Sequence, residues 1–493
     1  MHDMLFNFLD LMTSLFLFAV GCIVVWIVYM YIVDKHQQRH AIRHNYPVIG
    51  RFRYLFEKQG EFFRQYFFAQ DREEMPFNRA ERSWVYRAAK NVDRTVSFGS
   101  TRSLSPSGTI LFMNHPFPTL EEDACPVGEI TFGQTLPHPF TTAAIFNISG
   151  MSYGALSARA VLALSRGAKQ AGCWMNTGEG GLSPYHLEGG ADIVFQIGTA
   201  KYGVRDCEGQ LSDDKLREIA AHSQVRMFEI KLSQGAKPGK GGMLPGAKVS
   251  AEIAAIRGIA QGQDSYSPNR HPDINSCADL LDMVSRIRRV TGKPCGFKLV
   301  VGFSQWLDEL LGLIAAQDEQ LGPDFITIDS ADGGTGAAPQ PLMDYVGLPL
   351  QESLPLIVSL RHKHGLDKRL RIIASGKLIT PGKVAWALAC GADAVVSARG
   401  NMFALGCIQA LQCNKNTCPT GITTHNPKLQ QGLNVDDKAQ RVANYNRYIH
   451  YGVGLIAHSC GVGNVRQLSP QHVRIVTDNS MSEAMDKLYQ HYH

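Results

Sequence analysis

Two kinds of apolar spacing divide the chain. From Leu11 to Val33 run 23 consecutive residues without a formal charge, bounded by Asp10 and Asp34. At 1.5 Å per residue such a helix spans roughly 35 Å, enough to cross a bilayer. From about residue 140 the pattern changes to short apolar runs that end in Gly-rich or polar turns and lead into helical stretches. These runs are Ala143 to Ile148, Ile193 to Ile197, Met227 to Ile230, Gly296 to Val301, Phe325 to Ile328, Leu370 to Ala374 and Ala394 to Ser397. Several are β-branched, as buried parallel strands tend to be. Strands alternating with helices in this way predict an α/β protein built on a (β/α)8 TIM-type barrel. An open dinucleotide-binding sheet fits less well, partly because no G-x-G-x-x-G follows a strand. The expected organisation is a transmembrane helix at 11–33, a juxtamembrane and connecting region at 34–135 that packs on the main domain, the barrel at 136–470 and a C-terminal tail at 471–493.

A signal peptide carries a basic n-region and a short apolar core, whereas Met1 to Asp10 holds two acids and no Lys or Arg before a full-length apolar run. A retained anchor is the reading adopted, over a buried core helix. Trp26, Tyr29 and Tyr31 lie toward its far end, and Lys35, Arg39, Arg43, Arg51 and Arg53 follow. Positive charge stays inside, so the expectation is a single-pass protein of the inner (cytoplasmic) membrane with its catalytic domain in the cytoplasm. Composition changes this little: 44 % hydrophobic and 19 % charged residues with 47 Gly exclude collagen, coiled coil and a mostly disordered chain. The net charge of +5 sits partly in the juxtamembrane stretch and does not indicate nucleic acid.

Unusual residues gather where strands end. Gln196, Lys298, the run Asp332-Gly333-Gly334-Thr335-Gly336 and the run Ser375-Gly376-Lys377 each follow an apolar run, the position at which barrel enzymes carry their sites. The Gly-rich turns after the last strands offer backbone N–H groups to a phosphate, and Lys298 could place an ammonium beside a flavin ring. The stretch from Gln234 through Lys237 and Lys240 to Gly242 is built to hold an anion, with Arg257 near in sequence as a second carboxylate grip. Glu179 between glycines is a candidate proton-transfer group or a turn acid. Cys407, Cys413 and Cys418 are spaced six and five apart, which suits an iron–sulfur cluster with three thiolate ligands. A structural zinc would want a fourth ligand, for which His425 is available.

Taken together and in this order, Gly150-Met151-Ser152-Tyr153-Gly154, Asn176 to Gly181, Gln234 to Gly246, Asp332 to Ala337 and Gly406-Cys407 through Cys418-Pro419 resemble the synthase domain of the glutamate synthase family. The closer resemblance is to its shorter, stand-alone members. It implies a barrel that binds FMN and a [3Fe-4S] cluster on Cys407, Cys413 and Cys418 that passes electrons to the flavin. Ser152, Gln196, Lys298, Gly333, Gly334, Thr335, Gly376, Lys377 and the turn Ala398-Arg399-Gly400 would surround FMN. Gln234, Lys237 and Arg257 would hold 2-oxoglutarate, with Glu179 and Lys237 as catalytic groups.

The departures are as informative. Full glutamate synthases start with a glutaminase domain whose nucleophile is an N-terminal cysteine, and here the chain starts Met1-His2-Asp3 and enters the apolar run. The expectation is therefore use of free ammonia, with electrons from an external donor such as ferredoxin or a reductase subunit. Met243 stands where the family carries Gln, removing an amide whose hydrogen bond to a charged ligand is worth about 1.5–3 kcal/mol. Three functions follow: reductive amination of 2-oxoglutarate or a related 2-oxo acid, a membrane-tethered flavin and iron–sulfur oxidoreductase acting on another amino or imino acid, or a cofactor-free binding or scaffold barrel.

Overall fold

A computed structural model describes residues 2–92, 95–318 and 321–489. The chain forms two compact units, Met1–Glu81 and Arg82–His493. The connecting region expected at 34–135 is thus divided between them.

The first unit begins with α1 (His2–His36), longer at both ends than the uncharged run because helical hydrogen bonding does not stop where charge begins. Among the described residues it is the one helix long and apolar enough to cross a membrane, and none of its apolar window is buried. Two further helices follow, α2 (Ala41–Asn45) and α3 (Gly50–Phe63), the latter continued by a π-helical turn at Arg64–Phe68.

The second unit is a closed barrel of eight parallel strands in chain order. They are β1 (Phe146–Ile148), β2 (Trp174–Asn176), β3 (Asp192–Ile197), β4 (Val225–Lys231), β5 (Cys295–Val300), β6 (Phe325–Asp329), β7 (Arg371–Ser375) and β8 (Ala394–Ser397). β8 closes onto β1 with Val396 opposite Asn147. Seven of these match the apolar runs; β2, only three residues long, had no run of its own to announce it.

Strand side chains alternate with period two, so each strand contributes every second residue to the barrel interior. The lower interior is apolar: Trp174, Val194, Met227, Phe325, Ile373, Ala394 and Val396 form one cluster with Ile130, Phe132 and Phe140. The last three come from an antiparallel hairpin, Ile130–Phe132 with Phe140–Thr142, that plugs the barrel floor. Two residues beyond five of these positions the interior turns polar. Asn176, Gln196, Glu229, Thr327 and Ser375 follow Trp174, Val194, Met227, Phe325 and Ile373 at that spacing, and all five are buried.

The segment expected as a tail is built in. Val473–Val476 pairs antiparallel with Ile110–Phe112 on one side and Ser482–Ala484 on the other, because Val473, Val476 and Met485 need cover and are buried. Residues 490–493 of that segment lie outside the described residues. The 25-residue helix Val435–Ser459 supports the upper end of β8: Asn446 donates to Asn401 Oδ1 at 2.8 Å, and the Tyr445 hydroxyl donates to the carbonyl of Ile379 at 2.9 Å.

Candidate active site

Glu229 is the hub of the polar layer. Its carboxylate accepts from Asn176 Nδ2 at 2.8 Å, Gln196 Nε2 at 2.6 Å and Thr327 Oγ1 at 2.6 Å. One buried acceptor thus satisfies donors from three other strands, as a group this deep in the barrel requires. The amide of Gln196 is oriented by this bond, which leaves its carbonyl facing away from Glu229. Beside the hub, Lys298 lies 3.2 Å from Asp329 Oδ2, and the same oxygen accepts from the backbone N–H of Gly235 at 2.9 Å. Asp329 therefore anchors the loop after β4 to the barrel rim.

The turns after β6, β7 and β8 converge on Asp332. Lys377 Nζ sits 2.7 Å from its carboxylate, Ser330 Oγ donates to it, and Arg399 Nη2 donates to its carbonyl at 3.2 Å. Burial would raise the Asp332 carboxyl, but the hydrogen bonds from Lys377 and Ser330 and the Lys377 and Arg399 charges outweigh it and hold the group below its ordinary range. Gly376 has φ +137°, and a Cβ there would run into Ser330; a Cβ on Gly334 would stand 2.8 Å from Arg399 Nε. Gly333 packs Cα to Cα on Gly235. A Cβ on Gly400 would meet the Tyr445 hydroxyl, and Ala398 precedes the short helix Arg399–Leu405. Thr335 turns its hydroxyl onto the carbonyl of Ala337 within its own loop, at 3.1 Å. Ser152, in the loop after β1, lies against the glycine turn after β2: a Cβ on Gly178 would stand 2.6 Å from its N–H.

A second cluster occupies the mouth between β2 and β4. Glu179 lies 3.0 Å from Lys231 Nζ, with Gly198 and Gly242 so close that a Cβ on either would touch it. Burial would raise this carboxyl, but the ammonium groups of Lys231 and Lys237 and the Arg257 guanidinium lower it below the ordinary range. Burial in turn lowers Lys237, and Lys231 adds to that. Arg257 donates to the carbonyl of Tyr153 at 3.0 Å, stacks 5.2 Å over the Tyr202 ring, and has a buried Nε without a partner. Gln234 accepts from Lys231 Nζ and donates to the carbonyl of Gly334 at 3.4 Å, so it joins the two clusters. His271 contacts the carbonyl of Lys231 through Nε2 at 3.0 Å, and burial lowers its pKa to about 4.

All three loop cysteines are free thiols. Burial pushes Cys407 up to about 12 and raises Cys413, and the neighbouring thiols contribute to both shifts. At Cys418 burial is outweighed by hydrogen bonds from Thr420 and Thr423, bringing it to about 7. The loop is pinned by Tyr86, whose hydroxyl donates to the Cys407 carbonyl at 2.6 Å, and by buried Lys248, which donates to the Cys413 and Thr423 carbonyls at 3.0 Å each. His425 is engaged through Nε2 with the Gly154 carbonyl at 2.8 Å. Among the described residues, no group of three or more His, Cys, Asp or Glu side chains is gathered as metal ligands are.

Glu229, Lys231, Thr327 and Asp329 escaped the reading of the chain. For Glu229 and Thr327 the signal was present as a polar residue two positions beyond an apolar one on a buried strand; Lys231 and Asp329 lie two positions further on the same faces, at the strand ends.

Residues 119–463 match the family model described as the conserved region in glutamate synthase. The chain is 41 % identical over 506 residues to the glutamate synthase large subunit-like protein YerD of Bacillus subtilis, covering 93 % of this chain and 95 % of that one. It is 36 % identical over 331 residues to the archaeal glutamate synthase [NADPH] of Methanocaldococcus jannaschii, covering 66 % of this chain and 61 % of that protein's length. Among solved structures, mandelate oxidase with (S)-4-hydroxymandelic acid superposes with a TM-score of 0.47 at 16 % identity, over 80 % of this chain and 98 % of that one.

Proposed function

From the premise that this chain belongs to the glutamate synthase family and is an oxidoreductase, we propose that it aminates 2-oxoglutarate or a related 2-oxo acid reductively, using free ammonia and electrons from an external donor. The observation that carries the reading is the mouth cluster: three cations, Lys231, Lys237 and Arg257, act on one carboxylate, Glu179. That excess positive charge suits a substrate with carboxylates of its own.

The residues present suit FMN, and the resemblance to the family assigns the second implied group, an iron–sulfur cluster, to the cysteine loop. For FMN, Gly334 and Gly376 let the turns after β6 and β7 pack against Arg399 and Ser330 with no room for a Cβ, Gln196 has a carbonyl turned away from Glu229, and Lys298, Lys377 and Arg399 supply positive charge. For a [3Fe-4S] cluster the candidates are Cys407, Cys413 and Cys418, three free thiols of one loop that, among the described residues, are not gathered as metal ligands are. When bound, FMN supplies hydride transfer and the cluster single-electron delivery to it. The reaction joins ammonia to the 2-oxo carbon, takes up one hydride and one proton, and releases water.

The chain's own residues then have distinct tasks. Arg257 and Lys237 hold carboxylate, and Gln234 keeps Lys231 and the Gly334 turn in register. Glu179, held ionised by its neighbours, accepts a proton from ammonium; Lys237, lowered by burial, is the proton donor. We assign α1 as the membrane anchor.

The test supplies purified full-length protein with 2-oxoglutarate, ammonium and reduced ferredoxin or dithionite. Glutamate formation above that of an Arg257→Ala control is expected, and its absence counts against the assignment. The visible spectrum of protein purified without added cofactor should show flavin bands and a broad iron–sulfur shoulder; a colourless protein would favour the scaffold reading. One observation supports a different amino or imino acid: Met243 is 53 % exposed beside Tyr266 in a two-residue ladder, presenting a thioether at the loop's edge. A substrate screen that follows flavin reoxidation separates the two.

A further inference from the structure

Helix α3 leaves its apolar face bare. Phe52, Phe56 and Phe63, spaced four and seven apart, lie on one side with Ile49 just before the helix, all four between 42 and 73 % exposed; Leu55 and Phe62 widen the stripe, which Gln59 alone interrupts. At 100° per residue, Arg53 lies beyond one edge of this stripe, with Arg64 of the following turn and Glu57 next to it toward the polar side, and Lys58 lies beyond the other edge. A solvated helix has no reason to expose six large apolar side chains, whereas an apolar face with cations along its margins is the pattern of a helix lying in a bilayer interface.

The position of α3 along the membrane normal is fixed by α1. Asp34, the first charged residue after the uncharged run, is fully buried and takes Arg51 Nε at 2.7 Å and Arg43 Nη2 at 2.8 Å, with the Val48 N–H at 3.1 Å. Arg51 is in the first turn of α3, so one ion pair ties the start of α3 to the level at which the apolar run ends. On the polar side, Tyr54 meets the His40 ring edge to face at 5.1 Å, which turns the apolar stripe away from the α1–α2 junction.

We propose that α3 and the turn that continues it form an in-plane foot whose aromatic stripe enters the cytoplasmic leaflet, with Arg53, Lys58 and Arg64 on anionic phospholipid headgroups. The inference rests on α1 crossing the membrane. The foot would hold the second unit's tether flat on the leaflet, and its occupancy would depend on anionic lipid as that of the spanning helix does not.

The test reconstitutes the full chain into vesicles of phosphatidylglycerol and phosphatidylcholine. Photo-crosslinking p-benzoylphenylalanine replaces Phe56 or Phe63 on the stripe, Glu57 on the polar side, or Phe18 in α1 as the anchor control. Lipid adducts several-fold more abundant from positions 56 and 63 than from 57 are expected. That excess should shrink in phosphatidylcholine alone, or with Arg53→Glu and Lys58→Glu combined, while the Phe18 adduct persists. Equal adducts from 56 and 57, or protein adducts from 56 in place of lipid, would overturn the foot and leave the anchor standing. Loss of the Phe18 adduct as well would overturn both.

Discussion

Substituting Glu229 with leucine removes the acceptor shared by Asn176, Gln196 and Thr327. A buried donor left without a partner costs about 1–3 kcal/mol. The Thr327 hydroxyl can rotate to another acceptor, so two amide groups bear most of the loss, and leucine returns part of it through burial of its own apolar surface. The net is about 2–4 kcal/mol, a large share of a typical domain's stability. Glu229→Gln should be much milder, at about 1 kcal/mol, because the amide oxygen still accepts from Asn176 and Gln196 while its NH2 donates to Thr327. Thermal scans of the full-length protein in detergent at one scan rate should place the Leu variant about 2–5 °C below the parent, as the unfolding entropy of so large a unit implies, and the Gln variant close to it. Flavin content is the second readout, since the Gln196 amide loses its orientation only in the Leu variant. A Leu variant as stable as the parent, or a Gln variant as damaged as the Leu one, would refute the hub.

Gly376→Ala should lower both flavin retention and melting temperature, because φ is +137° and the new Cβ meets Ser330, whereas Gly382→Ala, with open space around it, should change neither. His271, lowered by burial to about 4, is neutral in the fold, while the unfolded chain takes up its proton near pH 6.5. Stability from this group is therefore full above pH 6.5 and falls as pH drops toward 4, by at most about 3 kcal/mol; in His271→Gln the pH slope of the melting temperature over that window should flatten. Glu179, depressed by its cations, contributes stability above the ordinary carboxylate range that is lost as pH falls through its lowered value. Glu179→Gln should lower KM for a dicarboxylate and kcat together, the first from uncompensated positive charge, the second from the lost proton acceptor; an unchanged kcat would remove Glu179 from the chemistry. In Cys413→Ser the iron–sulfur shoulder should vanish from the visible spectrum and the flavin bands remain, and a surviving shoulder would exclude Cys413 as a ligand.

Much of the barrel is legible in the chain because a buried parallel strand must be apolar on both faces, and seven runs have that character. The eighth strand is not, since Trp174–Asn176 is too short to show a period and owes its place to neighbours on both sides. The built-in end of the chain is hidden for a similar reason: Val473–Val476 is an ordinary four-residue segment until Ile110–Phe112, more than 350 residues earlier, comes alongside. Among site residues, those in glycine-rich motifs stand out because close backbone approach demands glycine, as at Gly235, Gly333 and Gly376. Glu229 and Asp329 sit inside strands among apolar neighbours, and only the closure of the barrel makes one an acceptor for three strands and the other a tie for a distant loop.

What the amino-acid sequence determines by itself is what local chemistry dictates: an apolar helix of membrane length, strands by their hydrophobicity, turns by their glycines, three thiols on one loop and the family those motifs carry. What the tertiary structure alone decides is which charges meet. The pairing of Lys231 with Glu179, the engagement of His425 by Gly154 and the clamp of Arg43 and Arg51 on Asp34 join residues by distance in space. Coulombic and hydrogen-bond energies depend on that distance and on burial, and neither is written in the order of residues along the chain.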